Sequence, residues 1–224
     1  MFPEDASYLD KVAFLREQVT IYPVSCEPLA HGRSDIEWLE AVLAGGAKMV
    51  QLRDKHSDDL TFYRKALAFR EMTSKAGALF IVNNRVDIAL LAKADGVHLG
   101  NTDLPAADVR KLAPELIVGV SCNSPEHAAT AKERGASYFN IGPLYKTETK
   151  KRLTPFLGPE AIETFTELCD LPFTVMGGVK LEHVKHLVAR GARRIAVVTA
   201  LTQAEDIAAE TGRWIAAITG AAGQ

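Results

Sequence analysis

Cysteine is scarce in this 224-residue chain: there are three, Cys26, Cys122 and Cys169, with no Cys-x-x-Cys pair and no mixed Cys/His cluster. An odd, scattered set argues against a disulfide framework or a structural zinc site and predicts free thiols in a reducing cytoplasm. An excess of one charge is also lacking. The formal net charge is −2, so neither nucleic acid nor an anionic membrane surface is an expected partner. Basic residues that bind phosphate must instead gather locally around a small ligand. No run approaches the roughly 18 consecutive apolar residues of a membrane span. The opening Met1-Phe2-Pro3-Glu4-Asp5 carries acids where a secretion signal has a basic stretch and then an apolar run.

What is present is a regular alternation. Short apolar runs at 19–25, 49–53, 79–83, 96–99, 117–121, 138–142, 173–176 and 195–198 read as strands buried on both faces. Helix-like stretches lie between them: 35–43 behind Ser34, 60–72, 125–134 behind Ser124, 159–168, 181–190 and 204–218. Pro105, Pro125 and Pro159 stand where a proline opens a helix without losing a hydrogen bond. Eight strands, each followed by a helix or helical turn, predict a parallel α/β fold. The length suits a single-domain (β/α)8 TIM barrel, although a doubly wound sheet shares the alternation. Residues 1–18 read as an N-terminal helical extension with Leu9, Val12, Ala13 and Leu15 as its apolar face, and 19–224 as the catalytic barrel.

The chemically unusual residues fall just after strands, which in a barrel is the catalytic rim. In Gln51-Leu52-Arg53-Asp54-Lys55, alternation puts Gln51 and Arg53 on one face with Lys55 beyond the strand end. Two cations and an amide there suit a phosphate or pyrophosphate; the plainer reading is a solvated loop with Arg53 beside Asp54. Asn83, Asn84 and Asp103 offer hard oxygen ligands suited to Mg²⁺, yet Asn and Asp are also ordinary turn and cap residues. His98 reads, on its own, as a core histidine with both nitrogens satisfied. After the sixth strand, Thr147 and Thr149 place two hydroxyls one residue apart, followed by Lys150, with Lys146, Lys151 and Arg152 adding charge. The length of this loop suits a lid. Gly177-Gly178 and Val198-Thr199-Ala200 follow strands seven and eight, where barrels often bind phosphate through backbone N–H groups.

The segments QLRDK (51–55), VNNRVDIAL (82–90), ADGVHLGNTD (94–103), GVS (119–121), GPLYKTETK (142–150), the Gly177-Gly178 pair and AVVTA (196–200) together resemble the thiamine-phosphate synthase family. The resemblance implies a Mg²⁺-dependent transferase that joins an aminopyrimidine diphosphate to a thiazole phosphate and releases pyrophosphate. On that basis Arg53, Lys55, Asn83, Ser121, Thr147, Thr149 and Lys150 hold the diphosphate, with Arg53, Lys55, Ser121 and Lys150 acting catalytically. Gln51 and His98 lie by the pyrimidine. Asp103 and Asn84 serve the metal. Gly178, Val198 and Thr199 hold the thiazole phosphate through backbone groups, so Gly178→Asp is expected to block chiefly that substrate. The chain departs from the family pattern in having Asn84 where an aspartate is usual, Thr199 for serine and Asn101 for glutamine. The nearest rival is a thiazole tautomerase on the same barrel, which carries a histidine where this chain has Asn123 and lacks the Thr-x-Thr-Lys loop. A sugar-phosphate epimerase and a non-catalytic thiamine-phosphate sensor are the other readings. The small-molecule partners are compatible with a homo-oligomer.

Overall fold

A computed structural model describes residues 6–147 and 156–223. Its strands are β1 (Ile21–Pro23), β2 (Met49–Leu52), β3 (Leu79–Asn83), β4 (Gly96–Leu99), β5 (Ile117–Cys122), β6 (Tyr138–Ile141), β7 (Phe173–Val175) and β8 (Ile195–Val197). All pair in parallel in the order β1-β8-β7-β6-β5-β4-β3-β2. The ring closes between β1 and β2 through a bridge of Val24 to Gln51, where Ser25 N–H donates to the Gln51 carbonyl at 2.9 Å. The alternation therefore resolves to the barrel and not to an open sheet.

Helix α1 (Tyr8–Glu17) precedes the barrel. Around it run α2 (Asp35–Ala44), α3 (Asp59–Ala76), α4 (Val86–Leu91), α5 (Ala106–Leu112), α6 (Pro125–Ala131), α7 (Ala161–Leu168), α8 (Val184–Ala189), α9 (Thr199–Thr202) and α10 (Ile207–Ala222). Helix α2 starts where expected because Ser34 and Glu37 form a reciprocal capping box. Helix α3 runs past the predicted end until Gly77 takes a left-handed φ of 61°. Ser124 stands at the N-cap of α6 but its side chain makes no capping bond. Pro159 lies in a turn and α7 begins two residues later. Helix α10 begins at Ile207, not at 204, because the Asp206 carboxylate accepts from Ala209 N–H at 2.9 Å and sets the first turn.

Strand alternation divides each strand between two cores. Outward residues such as Val50, Phe80, Val97 and Phe139 pack under the helices. Inward residues Tyr22, Met49, Leu79, Ile81, Ile117, Tyr138 and Ala196 fill the barrel with Leu15 and Val19. Further along the same inward faces come Gln51, Asn83, His98, Ser121 and Asn140. The interior thus turns from apolar at its floor to polar at its C-terminal mouth.

The apolar face expected on α1 is only partly correct: Leu9 is 74% exposed and Ala13 is exposed. The helix docks by its end and by its aromatic. Leu15 enters the floor, Tyr8 donates its hydroxyl to Ser137 Oγ at 3.1 Å, and the Arg110 guanidinium covers the Tyr8 ring at 4.6 Å. Buried Arg194 donates Nε to the Leu15 carbonyl and Nη2 to the Arg16 carbonyl, both at 2.8 Å, satisfying the carbonyl end of α1. Burial, with Arg16 and Arg193 nearby, pulls this guanidinium down to about 10, so it stays charged at neutral pH. Arg194→Met should cost about 2–3 kcal/mol in urea unfolding. An unchanged midpoint would mean that α1 contributes nothing to the barrel.

Candidate active site at the barrel mouth

Strand β2 delivers the first cation. Gln51 is buried inside the barrel, and Arg53, two residues on, is half-buried at the rim with its N–H donating to Ser25 Oγ at 3.1 Å. Under the plainer reading of a solvated loop, Arg53 and Asp54 are merely neighbours, and they do not pair. Asp54 turns the other way, accepting from the N–H groups of His56 and Ser57 at 2.9 and 3.0 Å and from Lys65 Nζ at 2.7 Å. Burial pushes the Asp54 carboxyl up, but Lys65, Ser57 and the two backbone donors outweigh it and hold the group well below the usual carboxylate range. Lys65 also meets Glu27 at 2.8 Å and Asp35 at 3.0 Å. The nearby acids are therefore committed to Lys65, and among the described residues no carboxylate pairs with Arg53. Lys55 is exposed just beyond it.

Strands β3 to β5 supply the polar side. Asn83 ends β3 half-buried, and Asn84 takes a left-handed φ of 65°, a conformation that asparagine tolerates better than most residues. Asn84 Nδ2 donates to Asp103 Oδ1 at 2.5 Å, and Gly100 N–H donates to Asp103 Oδ2 at 2.6 Å. Asp103 is therefore held at the rim and does not cap α5, whose N-cap is Pro105. Asp103 and Ser121 line one cavity of about 150 Å³, together with Gly100, Asn101 and His127. His98 is buried, with Nδ1 at 3.0 Å from Tyr138 OH and Nε2 at 3.1 Å from Ser121 Oγ.

For a Mg²⁺ ion, Asp103 would offer a carboxylate and Asn84, its amide turned away from the observed bond to Asp103, a carbonyl. Among the described residues no group of three or more His, Cys, Asp or Glu is placed to hold a metal ion. A divalent ion here would take its remaining ligands from substrate phosphate and water, as Mg²⁺ commonly does.

The loops after β6 and β7 lean on each other. Leu144 N–H donates to the Met176 carbonyl and Tyr145 N–H to the Gly177 carbonyl, each at 2.9 Å. A Cβ on Gly178 would lie 2.3 Å from the Lys146 carbonyl oxygen, and φ there is 63°. The glycine pair is thus required by the packing of the β6 loop as well as by any ligand. Thr147 is the last described residue of that loop; Thr149 and Lys150 lie outside the described residues. Thr199 and Ala200 open the short helix α9 and line a separate open groove of about 510 Å³ with α10. The described residues therefore join Arg53, Asn83, His98, Asp103 and Ser121 at the mouth, with Gly178 at its edge; Thr199, just past the end of β8, also borders the α10 groove.

Sequence reasoning missed Tyr22 and Tyr138, which it left unremarked within the runs 19–25 and 138–142, and Lys65 with its three acids. The period-two pattern points both tyrosines inward, but nothing in it shows that they meet.

The fold and the mouth together define a (β/α)8 barrel enzyme with a polar rim that carries a half-buried arginine. The thiamine monophosphate synthase family model matches residues 21–201. The thiamine-phosphate synthase of Pelotomaculum thermopropionicum is 41% identical over 194 residues, covering 86% of this chain and 89% of the relative. That of Caldicellulosiruptor saccharolyticus is 38% identical over 194 residues, 86% of this chain and 88% of the relative. The solved thiamine phosphate pyrophosphorylase from Pyrococcus furiosus superposes with a TM-score of 0.86 at 30% identity, covering 92% of this chain and 98% of that one. The chain belongs to the thiamine monophosphate synthase family.

Proposed function

We propose that this chain joins 4-amino-2-methyl-5-hydroxymethylpyrimidine diphosphate to thiazole phosphate, forming thiamine phosphate and releasing pyrophosphate. The observation that carries the reading is Arg53, a half-buried guanidinium at the mouth with no carboxylate partner among the described residues. Such a group seeks an anion, and a diphosphate accepts its planar fork from two oxygens.

The C–O bond between the pyrimidinylmethyl carbon and the diphosphate breaks, and its electron pair leaves with the bridging oxygen. Arg53 and Lys55 take up the growing negative charge, Ser121 donates its hydroxyl to it, and Asn83 holds the diphosphate by its amide. Thr147, Thr149 and Lys150 complete this group on the strength of the family pattern. The remaining carbon cation is stabilised by the ring's amino group while Gln51 and His98 keep the ring in place. The thiazole nitrogen then gives its lone pair to that carbon, so no general base is needed. Backbone N–H groups at Gly178, Val198 and Thr199 hold the thiazole phosphate. Held by Asp103 and Asn84, Mg²⁺ would neutralise diphosphate charge. The free, buried cysteines suit a cytoplasmic location.

Pyrophosphate release that needs both substrates and Mg²⁺ is the expected result; no release from folded protein at any Mg²⁺ level would reject the reading. Asn84→Asp restores a second charge at a backbone position that either residue tolerates. It should lower the Mg²⁺ concentration for half-maximal release roughly tenfold, about 1.4 kcal/mol. An unchanged requirement would show that residue 84 does not serve the metal.

A further inference from the structure

A continuous line of hydrogen bonds crosses the inside of the barrel and ends at the mouth. Gln51 Nε2 donates to Tyr22 OH at 2.6 Å. Tyr22 OH lies 3.0 Å from Tyr138 OH, and Tyr138 OH lies 3.0 Å from His98 Nδ1. His98 Nε2 lies 3.1 Å from Ser121 Oγ. Five side chains from β1, β2, β4, β5 and β6 are thus linked, and of these only Ser121 is not buried.

The line has a direction. Each phenol carries one proton, and burial pushes both far above the usual tyrosine range, so neither gives it up. With the Gln51 amide donating at the inner end, Tyr22 uses its proton on Tyr138 and Tyr138 uses its own on Nδ1. The neutral imidazole then carries its hydrogen on Nε2 and donates to Ser121 Oγ. The serine oxygen is filled from behind, which leaves the hydroxyl proton for whatever stands in front.

The barrel is shaped to let this happen. On β5, a Cβ at Gly119 would lie 2.2–2.4 Å from atoms of the Tyr138 ring. Glycine at 119 therefore makes the space through which the ring reaches across, two residues before Ser121 on the same face of the same strand. Tyr22 and Tyr138 meet edge-on, with centroids 6.2 Å apart and planes at 75°.

We propose that Tyr22 and Tyr138 are positioning residues that fix His98 as its Nε2–H tautomer and so make the Ser121 hydroxyl an outward-facing donor. Resting on the function proposed above, the relay aims that proton at the departing diphosphate oxygen, where charge grows in the transition state. Neither tyrosine touches the reacting atoms. Their effect runs through the histidine.

The test reads the tautomer directly, by long-range ¹H–¹⁵N correlation on histidine-labelled, ligand-free full-length protein, with His98→Gln used to assign the resonance. The wild type should show a protonated Nε2 and an unprotonated Nδ1. Tyr138→Phe removes the donor to Nδ1, so the tautomers should mix and kcat should fall about tenfold with little change in KM for thiazole phosphate. Tyr22→Phe interrupts the relay one link further back and should act in the same direction, more weakly; it stands in if Tyr138→Phe does not fold. An Nδ1–H tautomer in the wild type overturns the proposal. So does a Tyr138→Phe protein with both tautomer and kcat unchanged. The spectrum is independent of turnover: Nε2–H without pyrophosphate release keeps the relay and rejects the function, whereas Nδ1–H with normal release does the reverse.

Discussion

Lys65→Met is expected to lose about 3–5 kcal/mol of stability at pH 7.5, the usual cost of stranding buried charges, and to recover part of that loss by pH 5. The ammonium of Lys65 sits among Glu27, Asp35 and Asp54 at 2.8, 3.0 and 2.7 Å. The Asp35 and Asp54 side chains are 1% and 6% exposed. One cation thus ties the loop after β1, the first turn of α2 and the turn that ends β2. Burial pushes the Asp35 carboxyl above its ordinary value despite Lys65. Burial acts on Glu27 and Asp54 in the same sense, but Lys65 and their other donors leave both below it.

The pH dependence follows from these directions. In the wild type, burial works against the Lys65 ammonium but its three acids outweigh that and raise it above the usual lysine value. Its contribution is present at all pH values below the unfolded lysine value and is lost only as pH rises through the higher folded one. The lowered acids, Glu27 and Asp54, contribute above the unfolded carboxylate value near ~4 and lose that contribution as pH falls through their folded values. Without the ammonium, all three carboxyls rise, and the folded variant binds more protons than the unfolded chain above pH ~4. Its stability then falls as pH rises. Urea titrations from pH 5 to 8 check this. A deficit under about 1 kcal/mol that does not vary with pH would mean that water already screens the cluster. The Asp54 turn carries Arg53 and Lys55, so pyrophosphate release should weaken in parallel.

The contrast between this cluster and the rim motifs shows what a sequence exposes. Strands β3 and β4 were legible to the residue, because each is a short apolar run closed by Asn83 or by Leu99-Gly100. The polar mouth was legible too, since period-two alternation puts Gln51 and Arg53 on one face. Lys65 was not. Its partners stand 38, 30 and 11 residues away, in the loop after β1, the first turn of α2 and the turn that ends β2, and no periodicity relates them. The same holds for Tyr22 and Tyr138, separated by 116 residues and joined only when the barrel closes. Helix α4 was missed as a distinct element because six residues give too short a pattern for its period to register. His98 was read as a core histidine with satisfied nitrogens, and its two partners agree with that. The sequence did not show that one of those partners is Ser121.

Gly178→Ala is expected to reduce kcat/KM for both substrates by roughly a hundredfold, about 2.7 kcal/mol, not for thiazole phosphate alone. For Gly178→Asp the expectation from sequence was a selective block of the thiazole phosphate. Packing argues otherwise. At φ 63° an alanine pays a left-handed penalty of about 1–2 kcal/mol, and its methyl would meet the Lys146 carbonyl at 2.3 Å and the Tyr145 carbonyl at 2.9 Å. Backbone atoms cannot yield as a side-chain end can, so the β6 loop must move. That loop leads into Thr147, Thr149 and Lys150, the group assigned to the diphosphate. On the proposed function, displacing it weakens the hold on the leaving group, while the altered turn at 178 disturbs the backbone N–H proposed to hold the other substrate. Steady-state kinetics with each substrate varied in turn separate the two cases. Parallel losses identify Gly178 as the hinge point shared by both phosphate sites; a loss confined to thiazole phosphate would show that the β6 loop absorbs the methyl and that the two sites are mechanically independent.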